Sequence, residues 1–191
     1  MKRLLLLLSL SALCASAVHA APTAADNVRI YFSPRGGCTD AIINEVRQAT
    51  KTILVQAYTF TSAPIAEALV KASKRGIKIT VILDKEQAKE QYSVADFLSR
   101  AGIRTLIDAE HTIAHNKTII IDEQAVITGS FNFTKSAEEH NAENLLVIKD
   151  KTIVEKYTRN WREHENHSRT YDKATIGTST TGNRGHFRTT H

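Results

Sequence analysis

The stretch from residue 115 to residue 132 limits the fold of this chain more than any other part of the sequence. It contains two short β-branched runs, at residues 118–121 and 125–127, separated by the polar turn Asp122-Glu123-Gln124. Apolar runs of this length on either side of a polar turn predict a β-hairpin. A hairpin fixes which side chains share a face, because residues two apart in a strand point to the same side of the sheet.

Polar residues at both ends of this hairpin have the spacing of a shared face. If the hairpin closes with Asp122 opposite Ala125, the register brings four polar side chains onto one patch of an otherwise apolar sheet: His115, Lys117, Ser130 and Asn132. A register slip of one residue would turn the second pair to the other face. We therefore expect the hairpin to carry the functional site.

These residue types suit the chemistry of phosphate esters. An imidazole such as His115 can act as a nucleophile or as a general acid or base near neutral pH. Lys117, Asn132 and Ser130 can donate hydrogen bonds to phosphate oxygens as those oxygens gain charge. A metal site needs several His, Cys or carboxylate ligands, whereas this face offers one His beside a repelling Lys. The sequence predicts neither a metal nor a cofactor.

The spacing of these residues resembles the HKD signature of the phospholipase D superfamily. The matching pattern is His115-x-Lys117-x4-Asp122-x6-Gly129-Ser130-x-Asn132, and the resemblance extends over about residues 28 to 162. That superfamily contains phospholipases, phosphatidyl transferases and nucleases. The resemblance implies that His115 attacks phosphorus and forms a phosphohistidine intermediate. The short form with a single motif is most similar to the small bacterial endonucleases of the superfamily.

The single motif implies a homodimer. Many members of the superfamily carry two copies, because one His attacks phosphorus while the other protonates the leaving oxygen. This chain has one copy, so two chains would bring their motif faces together across a twofold axis. The apolar strands and aromatic residues near the motif would supply the contact area.

Three acidic positions compete for a role beside His115. A nucleophilic His needs an acceptor on its second ring nitrogen, and the resemblance favours Glu143 over Glu138 and Glu139. The latter two are expected to form a solvated helical turn with Lys135. Asp122, although part of the motif, lies at the hairpin turn and is expected to fix that turn through side-chain hydrogen bonds.

Several other residues keep two interpretations at this point. Tyr58 and Phe60 could stack on a base or sugar, or could belong to the core. His111 could border the site or be an exposed loop residue. Cys38, the only cysteine once the leader is removed, could be a half-buried residue at a helix start or form a bridge between subunits.

The first 20 residues predict a secretory signal. Lys2 and Arg3 precede an apolar run, and a small-residue cleavage site follows at residues 18–20. The run is too short for a membrane span, which needs roughly 20 apolar residues. The chain is therefore expected to be exported to the periplasm or secreted, with no membrane span in its mature form. Removing Lys2 and Arg3 reduces the net charge from +5 to +3, which suits an anionic substrate.

The remaining pattern predicts one α/β domain over residues 21–166. Strands and helices alternate as β-α-β-α-β-α-β before the hairpin, and a strand at 144–148 and a helix from 151 to 164 follow it. This order predicts a mixed, mostly parallel central sheet with helices on both faces. Residues 167–191 lack apolar periodicity and predict a disordered tail.

These features favour an exported, metal-independent endonuclease that cuts DNA or RNA with little sequence specificity. The alternative enzyme is a phospholipase D or phosphatidyl transferase acting on phospholipid. A third possibility is a non-catalytic module that binds nucleic acid or lipid, against which the intact motif argues, since binding alone does not need the His.

Overall fold

The computed structural model of the chain describes residues 27–173, so the predicted signal at 1–20 lies outside the described residues. Within that range the strands are β1 (Val28–Ser33), β2 (Thr52–Ala57), β3 (Lys78–Asp84), β4 (Arg104–Asp108), β5 (Lys117–Ile121), β6 (Ala125–Gly129), β7 (Glu143–Ile148) and β8 (Arg169–Thr170). The helices are α1 (Cys38–Gln48), α2 (Ala63–Lys74), α3 (Ala95–Arg100), α4 (Lys135–Glu139) and α5 (Lys151–His167). No helix of this range is long and apolar enough to cross a bilayer.

All eight strands form one mixed sheet in the order β1-β7-β6-β5-β2-β3-β4-β8. The α/β class and the mixed sheet are confirmed, but the pairing is less parallel than predicted. Among the described strands only β2-β3 and β3-β4 pair in parallel, and the other neighbours run antiparallel. The hairpin β5-β6 and strand β7 insert between β2 and β1. The first β-α-β unit therefore does not form a parallel pair.

Helices cover both faces of the sheet, as predicted. One face packs against α1, α2 and α3 through a core that includes Ile42, Leu69 and Leu98. The other face packs against α5, whose Trp161 is buried and donates from its indole Nε1 to the Val55 carbonyl at 3.0 Å. Each methylene buried from water stabilises the fold by about 0.8 kcal/mol. Apolar packing on both faces therefore stabilises the sheet that carries the motif.

The ordered domain extends beyond its predicted end at residue 166. Helix α5 continues to His167, and β8 then pairs with Leu106 and Ile107 of β4. Tyr171 is buried and its backbone N–H donates to the Thr105 carbonyl at 2.9 Å. The prediction of a tail starting at 167 is therefore wrong for residues 167–173, because a two-residue edge strand is held by backbone hydrogen bonds that need no apolar periodicity. Residues 174–191 lie outside the described residues.

Candidate active site

His115 and Lys117 lie where β5 begins, beside the end of β2. Ala57 pairs with Lys117, and the Tyr58 backbone N–H donates to the Asn116 carbonyl at 2.9 Å. His115 is exposed, and its ring lies 4.5 Å from the Tyr58 ring, centroid to centroid. Tyr58 therefore contacts the predicted nucleophile directly rather than belonging to the core, whereas Phe60 is fully buried against Phe133.

The Lys117 side chain is buried directly beneath the imidazole. Its Nζ lies 3.1 Å from His115 Nδ1, donates to the His115 carbonyl at 2.7 Å, and sits 5.1 Å from the Tyr58 ring centroid. Burial lowers the pKa of Lys117, and the negative charge of Glu143 acts in the opposite direction. A buried cation next to an exposed imidazole is an arrangement that attracts an anion to the imidazole.

The predicted hairpin register is wrong by one residue. Ile121 pairs with Ala125, and the turn takes all of residues 122–124, with Asp122 and Glu123 both at φ 55°. Continued along the strands, this register would send Ser130 to the face opposite Lys117. A β-bulge compensates for this one-residue shift. At the bulge, the backbone N–H groups of Ser130 and Phe131 both donate to the Asn144 carbonyl, at 3.1 and 3.3 Å.

Gly129 makes this bulge possible. It adopts φ 146°, and an added Cβ would lie 2.3 Å from the Asn144 carbonyl oxygen. The backbone of β6 can approach β7 this closely only without a side chain.

We expect Gly129→Ala to destabilise the fold by about 2–4 kcal/mol, because both the left-handed conformation and the carbonyl contact oppose a side chain. Urea unfolding measures this change. The matched control is Gly102→Ala, at φ 78° with no atom within 4 Å of the added Cβ, which should cost about 1 kcal/mol. If the two variants lose the same free energy of unfolding, the close contact at the bulge does not contribute to stability.

The bulge places Ser130 against Glu143. Ser130 Oγ donates to Glu143 Oε2 at 2.5 Å and accepts from the Asn144 backbone N–H at 3.0 Å. Asn141 Nδ2 donates to the other carboxylate oxygen at 3.2 Å. The structure therefore differs from the predicted contact of Glu143 with His115, because the carboxylate is held by Ser130 and Asn141 and the imidazole Nδ1 faces Lys117 instead.

Glu143 acts on the site through charge, which gives a pH prediction. Its carboxylate favours the protonated form of Lys117, so Glu143→Gln should lower the Lys117 pKa further. The alkaline limb of the kcat/KM profile on a small phosphodiester should then move to lower pH. Glu139→Gln is the control, since Glu139 pairs with Lys135 at 3.6 Å and is not among the charges that act on the Lys117 pKa. An alkaline limb that stays in place in Glu143→Gln would contradict the coupling.

Asn132 occupies the segment that runs beside Tyr58. Its neighbour Phe133 donates to the Thr59 carbonyl at 3.2 Å, and the Thr61 N–H donates to the Phe133 carbonyl at 3.0 Å. Asn132 Oδ1 is buried and has no hydrogen-bond partner within the described part of the chain. The structure shows no direct bond from Asn132 to His115 or Lys117, so its predicted contact with phosphate oxygens stays a prediction.

Asp122 has the structural position expected for it. Its carboxylate accepts from the backbone N–H groups of Thr50, Lys51 and Thr52 and from the Thr50 hydroxyl, all at 2.7–2.8 Å. Burial acts to raise the pKa of Asp122, but these hydrogen bonds outweigh it and lower the pKa. Asp122 ties the hairpin turn to the start of β2, at the end of β5 opposite to His115.

Two expectations outside the motif need correction. Glu138 does not belong to a solvated turn, since its carboxylate accepts from the Gly37 and Thr39 backbone N–H groups at 3.0 and 2.7 Å and so caps α1. Cys38 is fully buried rather than half-buried, and burial raises the pKa of its thiol to about 11. Such a thiol is not placed for a bridge between subunits.

His111 is an exposed residue of the loop after β4, which is the second of its two predicted interpretations, and it also belongs to a cluster of side chains. Its Nδ1 lies 3.2 Å from Asp108 Oδ2, and His164 and His167 of α5 approach the same carboxylate. Sequence reasoning missed this cluster because more than fifty residues separate its two halves. The signal that could have found it is the i, i+3 repetition of Asp108-x-x-His111 and His164-x-x-His167.

Comparison with known proteins identifies the family of this chain. Residues 42–164 match the family model described as "Cardiolipin synthase, PLD-like domain". A protein named phospholipase D from Rickettsia conorii is 42% identical over 154 residues, which cover 81% of this chain and 77% of that protein. A second, from Rickettsia felis, is 45% identical over 134 residues, 70% of this chain and 67% of the relative.

A solved structure agrees with these sequence relatives. The phospholipase D family member Nuc from Salmonella typhimurium superposes with a TM-score of 0.72 at 35% identity, covering 75% of this chain and 97% of Nuc. The family model spans the part of the chain that contains His115 and Lys117. The chain therefore belongs to the phospholipase D superfamily and is a phosphodiesterase of that superfamily.

Proposed function

We propose that this chain is an exported endonuclease that hydrolyses phosphodiester bonds of nucleic acid through a phosphohistidine intermediate. The observation that carries the proposal is the pairing of an exposed His115 with the buried Lys117 ammonium 3.1 Å from its Nδ1. A nucleophile at the surface above a fixed positive charge is suited to attack a phosphate that approaches from solvent.

The proposed reaction has two displacements at phosphorus. When the phosphate arrives, its oxygens accept hydrogen bonds from Lys117 Nζ, which releases His115 Nδ1 to carry the imidazole proton. Nε2 then forms a bond to phosphorus as the bond to the leaving oxygen breaks, and His115 of the partner subunit protonates that oxygen. The same partner group next takes a proton from water, whose oxygen replaces Nε2 on phosphorus. The cycle consumes one water and restores both imidazoles.

The proposal includes a homodimer, because the second imidazole must come from another copy of the chain. The edge of the sheet beside the site supports this proposal. Strand β1 is an edge of the sheet and pairs with β7, which carries Glu143. Its side chains Ile30 and Phe32 are 56% and 65% exposed. Exposed apolar side chains next to a site that needs a second copy support an interface there.

Nucleic acid is the favoured substrate because of the charges around the site. The mature chain carries +3, and the exposed Arg35 lies two residues after Ser33, which pairs with Glu143. Lys135 is exposed three residues after Asn132. Cations at these positions can contact phosphates on either side of the scissile one without reading bases, so cleavage should be sensitive to salt.

Phospholipid is the second candidate substrate. The observation in its favour is that the two Rickettsia relatives, at 42% and 45% identity, are both named phospholipase D. The exposed Ile30 and Phe32 are equally compatible with contact to a lipid surface.

A substrate panel separates the two candidates. The full chain and its His115→Asn variant are incubated with duplex DNA, single-stranded DNA, RNA and phosphatidylcholine vesicles, in excess chelator and at a temperature where circular dichroism shows an intact fold. We expect His115-dependent cleavage of nucleic acid without release of the lipid headgroup. His115-dependent headgroup release without nucleic-acid cleavage would replace the proposal with the second candidate. Loss of activity in chelator with an intact fold, restored by a divalent ion, would contradict the metal-free mechanism.

A further inference from the structure

A second cluster of chemically active side chains lies at the end of β4, away from His115. Asp108 is the last residue of β4, His111 follows in the loop, and His164 and His167 stand one turn apart at the end of α5. One potential ligand atom from each residue lies within 4.8 Å of the other three. The three imidazole rings are 4.8–5.2 Å apart, centroid to centroid.

The distances around Asp108 are close to those between the ligands of one metal ion. Asp108 Oδ2 lies 2.7 Å from His164 Nδ1, 3.2 Å from His111 Nδ1 and 3.3 Å from His167 Nε2. Ligands at about 2.0–2.1 Å from a tetrahedral zinc are separated from each other by about 3.4 Å. Small side-chain rotations would therefore place all four atoms around one ion.

Hydrogen bonding alone leaves this cluster incompletely satisfied. Asp108 Oδ2 has two lone pairs, yet three imidazole nitrogens approach it. The other oxygen, Oδ1, accepts from the Glu110 backbone N–H at 3.1 Å and lies 3.3 Å from His111 Nδ1. His167 Nε2 is buried and makes no hydrogen bond within residues 27–173. Asp108 is itself fully buried, and a buried carboxylate needs compensation by charge or by a metal. A cation would use every one of these atoms.

We propose that Asp108, His111, His164 and His167 form a structural zinc site. Three imidazoles and one carboxylate are ligands that Zn²⁺ accepts in tetrahedral geometry. Four protein ligands leave no open position for substrate, which makes the site structural rather than catalytic. The Lys85 Nζ binds the backbone of this cluster and not its side chains, since it donates to the His111 carbonyl at 3.0 Å.

The site would fix the segment that leads into the active site without taking part in the reaction. The loop after β4 runs from residue 109 to His115, and its Ala114 N–H already donates to Asp84 Oδ2 at 2.7 Å. Zinc would add a second anchor to this loop and connect it to α5. Three interstrand spacings of about 4.8 Å separate Lys117 from Ile107, the neighbour of Asp108, so the ion would lie roughly 14 Å from the nucleophile.

The test uses the untagged full chain after chelator treatment and dialysis. Zn²⁺ is titrated against a chromophoric chelator, and Co²⁺ is added in parallel to report coordination geometry. We expect one equivalent of tight binding per chain, a tetrahedral Co²⁺ spectrum, and an increase of about 5–10 °C in melting temperature at zinc a hundredfold above Kd.

Variants identify the ligands. His111→Gln, whose side chain is 45% exposed, and His167→Gln should each weaken zinc binding at least tenfold, which at the same zinc concentration reduces the thermal shift to about half or less. The control is His140→Gln, since His140 is 67% exposed and lies near Glu139 outside the cluster, and it should bind as the wild type does. Undiminished binding in the cluster variants, or no thermal shift and no tetrahedral spectrum in the wild type, would overturn the site and leave a hydrogen-bonded Asp-His cluster. Neither readout depends on the substrate, so the result is independent of the proposed nuclease activity.

Discussion

Mixing His115→Asn chains with wild-type chains is expected to inactivate the wild type. If each active unit needs the imidazole of both subunits, a mixed dimer lacks either the nucleophile or the leaving-group acid. Loss of such a group typically lowers the rate at least 10²-fold. Equal mixing with free exchange gives about a quarter wild-type, half mixed and a quarter mutant dimers. Activity per wild-type chain should fall to about half, and with a tenfold excess of the variant to roughly a tenth.

The control for this experiment is a variant chain that keeps His115. His140→Asn changes an exposed His outside the site, and its addition should leave activity per wild-type chain unchanged. Exchange is verified by co-purification of a tagged with an untagged chain. If exchange is complete and His115→Asn still has no effect, each chain works alone and the leaving-group acid must be found within it. Glu143 would then be examined first, because it is the carboxylate whose charge acts on Lys117.

Lys117→Met should lower kcat by about 10²–10³, the usual effect of removing one preorganised donor to a developing anion. The thioether matches the length of the Lys stem but carries no charge to phosphate. The free energy of unfolding should increase or stay the same, because Lys117 is 7% exposed and burial of its ammonium group destabilises the fold. Steady-state kinetics on a nucleic-acid or small phosphodiester substrate, together with thermal unfolding, measure both quantities.

Lys135→Met provides the comparison for Lys117. Lys135 is exposed and pairs with Glu139 at 3.6 Å, and an exposed ion pair contributes less than about 1 kcal/mol. Its replacement should alter kcat little and should act mainly on the salt dependence of binding. A Lys117→Met enzyme with nearly wild-type kcat would remove Lys117 from the chemistry. A drop in kcat that only parallels a drop in melting temperature would mean that Lys117 acts through the fold.

Asp122 and Glu143 show how motif membership and chemical role can differ. Asp122 belongs to the signature, yet its four hydrogen bonds go to residues 50–52 at the end of β5 remote from His115. Glu143 lies outside the hairpin, yet its charge acts on Lys117. A cavity of about 580 Å³ also lies at the Asp122 end and is lined by residues such as Glu45 and Lys149. This cavity is therefore at the opposite end of β5 from His115.

The sequence by itself determined the elements and the motif. Period-two and period-3.6 apolar patterns depend on local burial, so strands such as β7 and helices such as α5 are predicted within a few residues. The spacing of His115 and Lys117 also needed only the strand repeat, which is why their contact could be expected. The family resemblance rested on the same fixed intervals.

Tertiary structure decided everything that depends on which strands are neighbours. In the sheet, β1 lies beside β7 and not beside β2. The apolar pattern along the sequence does not indicate which strands become neighbours. The hairpin register depended on two residues at positive φ, and the position of Ser130 depended on a bulge that only Gly129 permits. Asp108 and His164 meet because α5 packs across the end of β4. Contacts between residues this distant in sequence arise from packing of the whole sheet, and local preference cannot specify them.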